Sequence, residues 1–525
     1  MANSDKLKQE FIEYTRTCIL SRRPSDKTNF IIGRTAADSY VSFVEVDKLF
    51  SYNPSKWASI KTIFDIDSSE KIMQIYMELV NDEKFYQVDT QSTSQYFRSN
   101  AIKQYYCFLK AREIILGKKD VATTFTVPEQ PKKRNLSDYD ITLMSAIKTK
   151  PFVILGGFSG TGKSIKVKEL AFSTCPRDGK LDKSEISPGN YLLLSIKPNW
   201  HDATEITGFR SSVNQNYYVT DFMRFLVKAK QYESKKVPFF VCLDEMNLAP
   251  VEEYFADFLS VIESRKRLEN GTIVTDAIVP ASVFDDTSYD PKFNIFEKLG
   301  LTEADIEQIN ELKEVGLTIP QNVIIIGTVN MDDTTNSFSR KVIDRAFIFE
   351  TLIHKFDNEY FEHDVNLNYT DNPISGEYFI SDEVRVTQMR DEKRFDLSDK
   401  EWEEVFDFVN GINWDVDGSP FKLGYRFLNE CILLYRTKLE LKKLAEQTKE
   451  IDSEKIDISL KSVFDSILMH KVLPRIEGDY EKCSESLENL KKRADKYDYT
   501  RSSEKIEFMI KRFGTDKSGF TTFWN

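Results

Sequence analysis

Residues 151–172 read PFVILGGFSGTGKSIKVKELAF, and this stretch decides the fold. The apolar run at its start suits a strand covered on both faces. Gly157-Phe158-Ser159-Gly160-Thr161-Gly162-Lys163-Ser164 then fits the spacing GxxxxGK[ST]. Glycines let the backbone turn until successive N–H groups face a phosphate; Lys163 would pair with the β- and γ-phosphates, and the Ser164 hydroxyl would bind Mg²⁺. The helix-forming SIKVKELAF next to it puts a helix N-terminus at the anion. Gly157, Ser159, Gly160, Thr161, Gly162, Lys163 and Ser164 are the expected nucleotide-binding residues. A glycine-rich turn without chemistry is the plainer alternative, and the strand before it and helix after it argue against that.

Working outward, three more short apolar runs occur: YLLLSI (191–196), FFVCL (239–243) and NVIIIGTV (322–329). Separated by helical patterns, they indicate a three-layer α/β domain around a parallel sheet. The second of them ends in Asp244-Glu245. At the end of a buried strand this pair puts Asp244 on the metal and Glu245 beside the γ-phosphate, where it can activate the attacking water. The last run ends at Asn330, a polar residue at the carboxyl end of a strand, where ligands of parallel α/β sheets sit. It is a candidate for orienting that water; a simple turn asparagine is the alternative.

The 525 residues fall into four parts. Residues 1–117 read as a helical module, with Ile102, Tyr105, Tyr106 and Leu109 at helical spacing. Residues 118–140 form a linker, residues 141–352 the α/β domain with a charged insertion between Arg267 and Gln321, and residues 353–525 a C-terminal helical lid and tail. Aromatic and basic residues interleave at Arg98, Lys103, Tyr105, Lys110 and Arg112, followed by Lys132, Lys133 and Arg134. That pattern fits a local nucleic-acid face and, nearly as well, a core helix with solvated lysines.

Composition excludes several classes. Hydrophobic residues at 41% and charged residues at 30% can build a core, so the chain is not mostly disordered. Six scattered cysteines and four histidines, without CxxC or HExxH, disfavour disulfide frameworks and protein-bound zinc. No apolar run reaches membrane length and the start has no secretory h-region, so a cytoplasmic protein is expected. A net charge of −12 confines any DNA contact to a local patch.

The order of phosphate loop, strand-Asp-Glu, strand-Asn and SRKVIDRAF resembles an AAA+ ATPase module. More narrowly, DEMNLAPVEEYFADFLSVIESR, IPQNVIIIGTVNMDDTTNSFSRKVIDRAFIFE, FKLGYRFLNE and KVLPRIEGDYEK resemble the McrB-like branch, the motor subunits of modification-dependent restriction systems. That resemblance implies a hexameric ring with nucleotide sites between protomers, DNA translocation or remodelling, and a McrC-type endonuclease partner in phage defence. It also implies Arg345 as the arginine finger, with Arg340 as a second candidate, and Arg426 as the sensor 2 residue reaching nucleotide from the lid. The branch's GTP-preferring pattern has Arg where Thr334 stands in VNMDDT, which leaves ATP and GTP equally open. No PD-(D/E)xK or HNH constellation is visible, so cutting is expected of another polypeptide. A monomeric nucleotide-dependent switch or scaffold is the competing reading; an arginine completing a site in trans makes sense only in an oligomer.

Overall fold

The computed structural model describes residue 134 and residues 136–524 apart from 214, 286–288, 332–337, 352–366, 387–396 and 517. Ile72, Ile75, Tyr105, Phe108 and Leu109 are also described; all five are helical and buried. Tyr105 stacks on Phe108 at 5.8 Å, the core alternative for that residue. Its basic companions Arg98, Lys103, Lys110 and Arg112, the linker lysines and Thr334 lie outside the described residues. Residues 1–132 and 133–525 form separate units, and the phosphate loop belongs to the second.

Five parallel strands make the centre of this second unit: β1 (Phe152–Gly157), β2 (Tyr191–Ser195), β3 (Phe239–Asp244), β4 (Val323–Asn330) and β5 (Phe347–Glu350). They lie in the order β2-β3-β4-β1-β5. From β1 the chain crosses to the far edge at β2, and from β4 it crosses past β1 to β5. Such crossovers place helices against the sheet. β1, β3 and β4 are buried nearly throughout, as their apolar runs predict. β2 differs. It is one of the two edge strands, and only part of it is covered: Leu193 is 45% exposed. The apolar content of YLLLSI suggested two covered faces; an edge position permits exposure because one flank has no neighbour, although β5 at the other edge is buried throughout.

Helix α1 (Asp138–Thr149) precedes β1 and starts with a capping box: Ser137 accepts from the Asp140 amide while the Asp140 carboxylate accepts from Ser137 N. α2 (Lys163–Thr174) comes after the phosphate loop, α3 (Asp221–Gln231) leads to β3, and α4 (Ala256–Glu263) runs back from it. The charged insertion contains α5 (Ile306–Val315). Beyond β5, α6 (Asp399–Asp415), α7 (Tyr425–Thr448), α8 (Leu460–Ile467), α9 (Tyr480–Tyr497) and α10 (Thr500–Lys511) make the C-terminal part helical. α6 also opens on a capping box, Ser398 with Glu401. Arg134, the last of the basic triplet, is built into this unit: its guanidinium donates to Thr370 Oγ1 at 3.1 Å, and its amide donates to Glu450 O. A central parallel sheet flanked by helices fits an α/β fold of the P-loop type. Among the described residues, no helix is long and apolar enough to cross a membrane.

Candidate functional site

The loop after β1 depends on its glycines for two different reasons. Gly157 has φ +153°, and a Cβ there would stand 2.3 Å from Thr351 Oγ1 and 3.0 Å from Thr351 O. Space forbids a side chain. Gly160 and Gly162 have φ +79° and +78° with open surroundings, so backbone conformation alone favours glycine. Gly162 is the N-cap of α2 and gives its first turn no side-chain cap, which leaves those amides to an anion.

Lys163 is buried, and its ammonium donates to the carbonyls of Gly157 at 3.0 Å and Phe158 at 2.7 Å. The loop is thereby gathered around its own cation. Thr161 Oγ1 donates to Phe158 O at 2.9 Å and lies 2.9 Å from Thr351 Oγ1. Ser159 is exposed on the loop's outer side.

The sheet register carries the acids to this loop. Gly157 pairs with Asn330 across β1 and β4, and Leu243 with Gly327 across β3 and β4. Ser164 Oγ donates to Asp244 Oδ1, and Thr328 Oγ1 donates to the same oxygen at 2.8 Å. The Glu245 amide donates to Thr328 Oγ1 at 3.1 Å, and Asn330 Nδ2 donates to Glu245 Oε1 at 2.9 Å. Asn247 Nδ2 reaches Asn330 O at 3.4 Å. Glu245 itself has φ 54° and ψ 50°. A left-handed glutamate costs roughly 1–3 kcal/mol, and such strain clusters where a side chain must be aimed. The strand must end at this point for the carboxylate to leave the sheet toward the loop.

Ser164 Oγ and Asp244 Oδ1 form a hard-oxygen pair beside the loop, and Glu245 is the next acid. Mg²⁺ is commonly held by one or two such ligands plus phosphate oxygens and water. The donor set therefore fits Mg²⁺ bound together with a nucleotide. Among the described residues, no group of three or more His, Cys, Asp or Glu could hold a metal without one.

The three arginines stand elsewhere. Arg345 stands two residues before the start of β5, so it lies at the amino edge of the parallel sheet, opposite the loop. Its Nη1 donates to Lys341 O at 2.8 Å, and its Nε stands 3.8 Å from Glu263 Oε1. Arg426, in the first turn of α7, pairs with Glu263 Oε2 at 2.7 Å. Glu263 also meets Lys150, two residues before β1, at 3.4 Å. Arg426, expected to reach nucleotide from the lid, shares Glu263 with Arg345 at the amino edge. The reason is tertiary: α4 ends at the amino edge, and its last carboxylate takes the arginine. Arg340 donates to Pro420 O at 2.7 Å and stacks over Phe421 at 5.5 Å, an engagement that keeps it off the loop of its own chain.

Two residues that contact the candidate site residues escaped the sequence reading. Thr328 precedes Asn330 by two positions, and residues i and i+2 of a strand share a face; that parity was a usable signal. Glu263 offered none, because its role depends on three residues distant in sequence.

Comparison with known proteins yields weak relationships. A family model described as a domain of unknown function, DUF8727, matches residues 380–518. The type IV methyl-directed restriction enzyme EcoKMcrB subunit of Escherichia coli (strain K12) is 24% identical over 221 residues, 42% of this chain. The match spans 39% of that relative's length. A solved structure of a candidate ATPase from Cytophaga hutchinsonii ATCC 33406 aligns over 63% of this chain and 88% of its own, at 14% identity and a TM-score of 0.33. By sequence, this chain is similar at low identity to part of a restriction-enzyme subunit, and by its sheet and loop it has the form of a P-loop nucleotide-binding unit.

Proposed function

We propose that this chain is a nucleoside triphosphatase of the AAA+ type, hydrolysing ATP or GTP with Mg²⁺ at a site shared between adjoining copies. One observation carries the reading: Lys163 and Ser164 of α2, Asp244 and Glu245 at the end of β3, and Asn330 at the end of β4 converge on one glycine-rich loop. Ser164 and Asp244 would hold Mg²⁺, which would supply positive charge against the charge developing on the phosphates. Lys163 exchanges loop carbonyls for phosphate oxygens. Glu245 orients the attacking water and accepts its proton, and the Asn330 amide fixes one of its two carboxylate oxygens so that the other serves the water.

Arg345 is separated from the loop by the length of β1, about 20 Å for six residues. An arginine there serves the phosphate of a neighbouring copy, which favours a ring, a hexamer by resemblance, over a monomeric switch. Similarity to a restriction-enzyme subunit supports DNA translocation or remodelling for a McrC-type endonuclease as the output. With a net charge of −12, DNA is gripped locally and binding weakens steeply with salt.

The test is to purify the full chain and measure its mass by light scattering with and without a non-hydrolysable nucleotide, alongside ATP and GTP turnover. Assembly on nucleotide, slow hydrolysis and no DNA cleavage by the single chain are expected. A protein starting at residue 136 should still assemble but lose DNA target selection. A strictly monomeric protein that binds nucleotide without turning it over would overturn the proposal in favour of a switch.

A further inference from the structure

The amino edge of the sheet carries a charge network that the phosphate site does not use. Glu263 Oε2 stands 2.7 Å from Arg426 Nη2, and Glu263 Oε1 stands 3.4 Å from Lys150 Nζ and 3.8 Å from Arg345 Nε. Lys150 also meets Glu430 Oε1 at 2.5 Å, and Glu430 Oε2 meets Lys471 Nζ at 2.7 Å. Lys471, buried, donates to Asp344 O at 3.1 Å and Ala346 O at 2.8 Å. Those are the carbonyls on either side of Arg345. Arg475 pairs with the Asp344 carboxylate.

Arg345 is placed through both its backbone and its side chain. Lys471 fixes its backbone from both sides, Lys341 O accepts from its Nη1, and Glu263, at the end of α4, stands at ion-pair distance from its Nε. Arg426 arrives at the same carboxylate from α7. Two guanidinium groups that share one carboxylate repel one another, and the carboxylate between them offsets that repulsion. The Arg426 side chain is 39% exposed and that of Arg345 22%, so Arg426 is the more open of the two.

We propose that Glu263 is a positioning residue: it couples Arg345 and Arg426 into a paired cation that the amino edge presents to the phosphates of an adjoining copy. This rests on the shared-site reading of the function. Glu263 touches no nucleotide itself; it acts through the two arginines. Removing its charge should let them separate and lower kcat about tenfold with little change in KM, because the loop of the same chain is untouched. That is a smaller loss than the hundredfold or so expected for deleting a direct donor to the transition state.

The experiment uses mixed assemblies. Arg345→Ala supplies an intact loop, Lys163→Ala supplies an intact amino edge, and working sites form only where the two meet. Glu263→Gln is then added to one chain or the other. On the Lys163→Ala chain it should lower the recovered rate about tenfold; on the Arg345→Ala chain it falls on an edge already disabled and should leave the rate within about twofold. Arg426→Gln, a partly exposed change, should show the same asymmetry and serves if the Glu263 variant does not fold. Equal losses in both placements would make Glu263 merely structural and overturn the proposal, as would no loss in either. If the starting mixture recovers no activity although co-assembly is shown by mass, the shared site itself is wrong, and the failure lies there rather than with Glu263.

Discussion

Thr328 ties Asp244, the proposed Mg²⁺ ligand, to β4: its hydroxyl donates to Asp244 Oδ1 at 2.8 Å while accepting from the Glu245 amide at 3.1 Å. One oxygen thus serves both acids, and only a group that donates and accepts at once can do so. Thr328→Val keeps the shape and removes both bonds. The Glu245 amide would lose its acceptor in a part-buried setting, a cost of about 1 kcal/mol. The melting temperature should fall by several degrees. Turnover should drop about tenfold or more, because Asp244 and the left-handed Glu245 both lose their tether. Steady-state hydrolysis beside a thermal melt checks this; unchanged turnover in a folded protein would remove Thr328 from the site.

Lys163→Ala and Glu245→Gln should separate binding from chemistry. Lys163 lies at the loop, so its loss should abolish tight nucleotide binding while the fold persists. Glu245→Gln should keep binding and lower turnover about a hundredfold or more. Asn330→Ala should resemble a milder Glu245→Gln, since it frees the carboxylate without removing it. Calorimetric nucleotide titration together with phosphate release distinguishes these outcomes. A Lys163→Ala protein with normal turnover would refute the loop assignment.

Gly157→Ala and Gly160→Ala should differ in severity. Both sites have positive φ, which costs an alanine about 1–2 kcal/mol. Gly157 adds a clash with Thr351, where the nearest atoms include a backbone carbonyl that cannot yield. Gly160→Ala should therefore retain measurable nucleotide affinity, and Gly157→Ala should lose it along with stability. Equal affinities for the two variants would contradict the steric argument.

Acid should destabilise this unit through His470. The ring is buried and stacked on Phe349 at 4.0 Å, with Nδ1 hydrogen-bonded to Ile348 O at 2.8 Å. Burial lowers its pKa to about 3 from the usual 6.5, and the Ile348 contact only partly opposes this. Because the native state holds the neutral ring, the unfolded chain takes up a proton as pH falls below about 6.5 while the native chain does not, so the stability contribution is full above 6.5 and shrinks steadily below it. The melting temperature should fall between pH 7 and 5. His470→Phe keeps the stacked ring without the titration and should flatten that slope. An unchanged slope would assign the effect to carboxylates instead.

Much of the site was legible in the chain itself. The loop residues 157–164, the Asp244-Glu245 pair and Asn330 are local signals, each a polar or glycine group at the end of an apolar run. A parallel sheet gathers its strand ends at one edge whatever the intervening sequence, so identifying the strands also placed those residues together. The same logic fails where geometry depends on more than strand order. YLLLSI looked like an interior strand, yet position at the sheet edge exposes Leu193, and nothing in five apolar residues says which strands will flank them.

Arg426 marks the boundary most clearly. Its motif, GYRFLNE, can be recognised, but where its guanidinium goes depends on which carboxylate α4 brings within reach. That carboxylate is Glu263, 163 positions earlier, and it also takes Arg345 and Lys150. What the sequence determined by itself was the edge proposed to face the nucleotide, because backbone turns, strand ends and a helix N-terminus are properties of contiguous residues. What only the tertiary structure decided was the opposite edge. There, each cation's partner is set by long-range packing, and the Coulomb gain of a charge pair falls away as the two groups separate.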